Sequence, residues 1–219
     1  MRTVHEHETE ISIPVGRAKL GGNLNVPEQA EGIVIFAHGS GSSRYSPRNK
    51  FVARLLREGS LATLLFDLLS EEEEMIDLQT TRLRFDIALL AERLLLGMDW
   101  LEKTPATSEL PMVLFGSSTG AGAALLAAAE RPEIIKAIVS RGGRPDLAGP
   151  LLLEVRAPTL LIVGGNDASV IELNRQAMAQ MSVETKLEIV PRATHLFEEP
   201  GALEEVSRLA REWFQSHLG

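Results

Sequence analysis

The sequence predicts an α/β fold: a mostly parallel sheet with helices on both faces and an antiparallel hairpin at its N-terminal edge, in one domain over residues 1–219. Three observations carry this expectation. From Gly32 onward, short apolar runs alternate with segments of helical period, the mark of consecutive βαβ units. The stretch before Gly32 lacks that alternation and reads as paired strands. Finally, 219 residues with 44% hydrophobic and 24% charged side chains suit one globular domain with a sizeable core, and no linker or low-complexity tract divides them.

Taken in order, Thr9 to Val15 and Arg17 to Val26, separated by a turn at Gly16 and interrupted by Gly21-Gly22, form the edge hairpin. "GIVIFAHG" is a buried-type strand, and "SPRNKFVARLLREG" follows with Phe51, Val52, Leu55 and Leu56 at helical spacing before Gly59 ends it. "LATLLFDLL" is the next strand. After it come an acidic loop, Glu71 to Glu74, and one long amphipathic helix, "RLRFDIALLAERLLLGMDWLEK", stopped before Pro105. "PMVLFGS" with "GAGAALLAAAERP" repeats the plan. So do "IKAIVSRGG", "APTLLIVGGND" with "VIELNRQAMAQM", and "TKLEIVP" with "ALEEVSRLAREWFQSHL".

Composition excludes several classes of function. The chain has no cysteine, which removes disulfides, thiolate metal sites and a cysteine nucleophile, and suits a reducing compartment. Its start, MRTVHEHETE, has no apolar leader region, and no apolar run approaches the ~18 residues of a membrane span. A cytoplasmic protein with no membrane partner is expected. A net charge of −8 argues against nucleic acid as a partner, because neutralising phosphates requires a basic face.

The chemistry concentrates in Gly116-Ser117-Ser118-Thr119-Gly120, between the strand "MVLF" and an alanine-rich helix. A serine on a sharp strand-to-helix turn needs small neighbours, because its backbone closely approaches adjacent elements, and Gly116, Gly120, Ala121 and Gly122 supply them. Ser118 is the central serine of the pattern, and Ser117 occupies its first variable position. A serine hydroxyl is a weak nucleophile at neutral pH, so it requires a base and the base an orienting acid. Asp167 ends "TLLIVGGND" and His195 lies in "ATHLFEEPG", each after a later strand and in the chain order this architecture uses. Asp146 also follows a strand, beyond Gly142-Gly143-Arg144-Pro145; Asp167 is preferred because it directly ends its strand. The negative charge of a tetrahedral intermediate needs donors, for which the backbone N–H groups of Ser40, after the first parallel strand, and Thr119 are assigned. His38 is read as shaping its turn by hydrogen bonding.

Together, "HGSGSS", "GSSTG", "GGNDASV" and "ATHLFEEPG" resemble the α/β-hydrolase superfamily, in particular its dienelactone-hydrolase-like branch, from about Gly32 to the C-terminus. Dienelactone hydrolases proper use a cysteine nucleophile, and the matching position here is Ser118. The resemblance implies a cofactor-free, metal-free serine hydrolase with carboxylesters as the leading substrates. Thioesters, lactones, amides and peracid formation are alternatives on the same residues, and a non-catalytic ligand-binding protein is the alternative of another class. Only Arg144 to Arg156 separates two strands where many lipases of this fold insert a cap, so an open site for short, soluble esters is expected. Arg44, Arg48, Arg141 and Arg144 fall in loops on that side, either to attract anionic substrates or to pair with Glu71 to Glu74.

Overall fold

The computed structural model describes residues 8–218; the charged start from Met1 to His7 lies outside them. Strands β1 (Thr9–Val15), β2 (Ala18–Asn25), β3 (Gly32–Ala37), β4 (Leu61–Phe66), β5 (Met112–Ser117), β6 (Ile135–Arg141), β7 (Thr159–Gly164) and β8 (Thr185–Val190) form one sheet. Its order is β1-β2-β4-β3-β5-β6-β7-β8. The hairpin β1–β2 is antiparallel and joins β4 antiparallel through Gly22↔Phe66 to Asn25↔Thr63. All other neighbours are parallel.

Every residue of β3, β4, β5 and β7 is buried, as continuous apolar runs covered by helices on both faces require. Helices α1 (Pro47–Arg57) and α6 (Ala202–His217) cover one face, where Val52, Leu56, Val206 and Phe214 meet Val34, Phe36 and Phe115. Helices α3 (Ile87–Glu102) and α4 (Thr119–Glu130) cover the other, with Leu90, Leu94 and Met98 against Ile35, Leu64 and Leu114. Helix α5 (Ala168–Met178) lies between β7 and β8.

Two local expectations are corrected. Glu71 to Glu74 are not a loop but the first turn of α2 (Glu71–Thr80). Ser70 Oγ accepts from Glu73 N–H at 3.3 Å, Glu73 Oε2 accepts from Ser70 N–H at 2.8 Å, and the acidic first turn complements the helix dipole. The pattern Ser70-x-x-Glu73 was the available signal. The long helix starting at Arg82 is in fact a 3-10 turn, Leu83–Phe85, followed by α3. Asp86 caps α3 by accepting from Leu89 N–H at 3.1 Å, and Asp77 of α2 holds the turn by accepting from Leu83 N–H at 2.7 Å.

Between β6 and β7, Pro145–Glu154 forms 3-10 turns broken at Gly149, whose φ is 54°. Leu152 is buried and pins the segment, while Leu151 and Leu153 are exposed. This connection is no cap domain.

Candidate active site

The strand-to-helix turn is set by close approaches that only small residues permit. A Cβ on Gly116 would lie 2.4 Å from Ala121 Cα, and one on Gly120 would lie 2.3 Å from Ala37 O and 2.5 Å from His38 O. Helix α4 therefore packs with its backbone against the end of β3. Gly120→Ala is expected to cost more than about 2 kcal/mol, because the obstruction is backbone and cannot rotate away. Chemical denaturation measures this, and a variant as stable as the wild type would contradict the packing described.

Ser118 sits at the apex with φ 50° and ψ −123°, a conformation an L-residue adopts at a cost of roughly 1–3 kcal/mol. The neighbours hold it there. Its N–H donates to Arg141 O at 3.2 Å, and its carbonyl accepts from Ala121 N–H and Arg144 N–H, both at 3.1 Å. The side chain is thereby presented toward His195, whose Nε2 lies 3.3 Å from Ser118 Oγ. The other ring nitrogen, Nδ1, lies 2.7 Å from Asp167 Oδ2. A carboxylate accepts only, so Nδ1 carries the proton and Nε2 presents its lone pair to the hydroxyl.

The loops bearing these groups are tied together by backbone. A Cβ on Gly164 would lie 2.5 Å from Ala193 O, and Asn166 N–H donates to Ala193 O at 2.9 Å, joining the end of β7 to the histidine loop. Phe197 is fully buried at φ 56° and anchors that loop from below. Thr194 N–H donates to Glu199 Oε1 at 3.0 Å.

Other candidates fall elsewhere. Ser117 is buried and its Oγ donates to Asn49 Oδ1 at 3.2 Å, away from the histidine. Asp146 binds Arg144 in a two-pronged pair at 2.8 and 2.7 Å. His38 accepts Leu68 N–H on Nε2 at 3.1 Å with Nδ1 3.1 Å from Gly39 O, and burial lowers its pKa, so it is a neutral brace between β3 and β4. The Ser40 N–H, assigned from sequence as an oxyanion donor, donates to Thr119 Oγ1 at 2.8 Å. Sequence reasoning missed this contact, because nothing local signals a bond across 79 positions. As the first residue of α4, Thr119 has a backbone N–H outside the intrahelical ladder.

None of the four arginines pairs with Glu71 to Glu74. Arg44 pairs with Asp67 at 3.1 Å, Arg48 with Glu198 at 2.9 Å and Arg144 with Asp146, while Glu73 takes Arg93 at 2.8 Å. Arg141 and Arg48 instead line a cavity of about 210 Å³ that opens beside Ser118 and His195. Among the described residues there is no group of three or more His, Cys, Asp or Glu side chains placed to hold a metal ion. No helix among them is long and apolar enough to cross a membrane.

Comparison with known proteins gives the same architecture. The dienelactone hydrolase family model matches residues 18–217. A dienelactone hydrolase structure from Anabaena variabilis ATCC 29413 is 59% identical, covers 98% of this chain and 99% of its own, and superposes with a TM-score of 0.95. Est1E from Butyrivibrio proteoclasticus shares the fold at 18% identity, 95% and 98% coverage and a TM-score of 0.80. A Mycobacterium tuberculosis protein carrying the provisional name of a phosphoribosyl transferase is 54% identical over 96% of this chain. The chain spans 47% of that relative's length.

Proposed function

The chain belongs to the dienelactone hydrolase family of α/β hydrolases, and from that premise we propose that it is a carboxylesterase-like serine hydrolase of small esters, with Ser118 as nucleophile, His195 as base and Asp167 as orienting acid. The observation that carries the reading is the hydrogen-bonded line from Ser118 Oγ through His195 to Asp167 behind a strained turn. In it, Ser118 Oγ attacks the ester carbonyl as its proton passes to His195 Nε2, and Asp167 stabilises the imidazolium through Nδ1–H. His195 then protonates the departing alcohol. Water, deprotonated by the same nitrogen, releases the acid from the acyl-enzyme. The oxyanion is received by the N–H groups of Ser40 and Thr119. Ser40 N–H donates to Thr119 Oγ1, so receiving an oxyanion requires that this bond be exchanged.

The short connection between β6 and β7 supports an open site without interfacial activation. Initial rates on p-nitrophenyl esters should peak at short acyl chains, with no jump when a long-chain ester forms droplets. A long-chain optimum with such a jump would sink this preference. Covalent labelling of Ser118 by a fluorophosphonate, with no turnover across an ester panel, would instead favour the ligand-binding reading. The transferase name belongs to a protein more than half of which lies outside the match. The absence of cysteine suits the reducing cytoplasm, which we propose as the protein's compartment.

A further inference from the structure

Among the described residues no carboxylate balances the positive charge at the cavity beside Ser118. Arg141 ends β6 with 7% of its surface exposed, and its Nε and Nη1 have no hydrogen-bond partner. No carboxylate among the described residues reaches it. The Phe197 ring centre is 5.9 Å from the guanidinium carbon, and a second cation, Arg48, is close enough to repel it. Burial first, and Arg48 second, push the Arg141 pKa down to about 10, so it is still charged at neutral pH.

An unpaired buried charge is among the more costly features a fold can keep. Shortage of acids does not explain it, because the chain has 30 Asp and Glu against 22 Lys and Arg, and Arg44, Arg84, Arg93 and Arg144 each hold a carboxylate. Among the described residues none supplies the missing partner. A second feature agrees in sign and place: α1 begins at the same cavity, with its cap Ser46 and its first-turn residues Arg48 and Asn49 in the wall, so its positive end faces the space Arg141 faces. Among the described residues Arg48 pairs only with Glu198, whose side chain is 63% exposed, so the pair is weakened by solvent.

We propose that Arg141, Arg48 and the N-terminus of α1 form an anion subsite within the site cavity, and that the substrate is a short ester whose acyl part carries a carboxylate or phosphoryl group. This rests on the hydrolase reading above. The acyl part is assigned because it remains on Ser118 while the alcohol leaves past His195, whose side chain is 39% exposed toward solvent. A cavity of about 210 Å³ accepts a short chain only. A charge at its far end, gripped by a planar guanidinium, fixes the carbonyl over Ser118 and turns remote binding into orientation.

The test compares p-nitrophenyl hemiadipate, p-nitrophenyl 5-phosphonopentanoate and neutral p-nitrophenyl hexanoate. Wild-type protein should prefer one anionic ester in kcat/KM, and which one separates a carboxylate from a phosphoryl substrate. Arg141→Met should lower the anionic-to-neutral ratio by about 100-fold, Arg141→Lys should restore part of it, and Arg48→Gln should have a smaller effect in the same direction. Arg141→Met should melt at or above the wild-type temperature, because an unpaired buried charge is removed, which separates a lost subsite from a lost fold. Adipate and inorganic phosphate should raise the melting temperature of Ser118→Ala, and Arg141→Met should abolish that shift. A wild-type preference for hexanoate, a ratio indifferent to Arg141→Met and no Arg141-dependent thermal shift would together overturn the subsite. Should no ester turn over and Ser118 resist fluorophosphonate, the hydrolase reading fails, and the thermal shift alone decides the subsite.

Discussion

Ser118→Ala is expected to lower ester turnover by about 10⁶-fold, to background, and to abolish fluorophosphonate labelling. Ser117→Ala, one residue away, should keep a working nucleophile. The two hydroxyls belong to different networks: Ser118 Oγ lies 3.3 Å from His195 Nε2, whereas Ser117 Oγ donates to the buried Asn49 of α1. Losing the Ser117 bond removes one buried hydrogen bond, worth about 1 kcal/mol, so its effect should appear in a denaturation midpoint rather than in kcat. Adding His195→Ala to Ser118→Ala should change little further, since groups that act as one unit are not additive. An active Ser118→Ala protein beside a dead Ser117→Ala protein would reverse the assignment.

Asp167→Asn is expected to reduce kcat by about 10⁴-fold with little change in KM. An asparagine presents an amide donor as well as an acceptor, so the imidazole can settle with its proton on Nε2, where it cannot accept from Ser118. Asp146→Asn should fall far short of that loss. Asp146 is committed to Arg144 at 2.7 and 2.8 Å, and no bond joins it to His195. Steady-state kinetics on both variants decide the matter, and the reverse ranking would move the acid to the end of β6.

Much of this fold was legible because its causes are local. Buried parallel strands require continuous apolar runs, as in "GIVIFA" and "TLLIVG", and the covering helices require the 3.6-residue spacing seen in Val52, Leu56 and again in Val206, Ala210, Phe214. The elements that differ from the sequence expectation, α2 and the start of α3, also have local causes, in their caps at Ser70 and Asp86. The chain order of Ser118, Asp167 and His195 was readable, since the architecture puts functional loops after strands.

The sequence by itself determined the strands, the covering helices apart from α2 and the start of α3, and that Ser118 occupies the turn apex, because pattern and the room left by Gly116 and Gly120 act over a few residues. Only the tertiary structure decided which aspartate meets the histidine, that Thr119 Oγ1 holds the Ser40 N–H, and which arginine no carboxylate among the described residues reaches. Asp146 and Asp167 both follow a strand, and along the chain only the shorter distance of Asp167 from its strand favours it. They differ because Arg144 captures the first within two residues, while the Gly164 approach to Ala193 brings the histidine loop to the second. Pairing between charges depends on distances closed by packing across the sheet, and no spacing in the chain encodes which carboxylates will be spent before they reach Arg141.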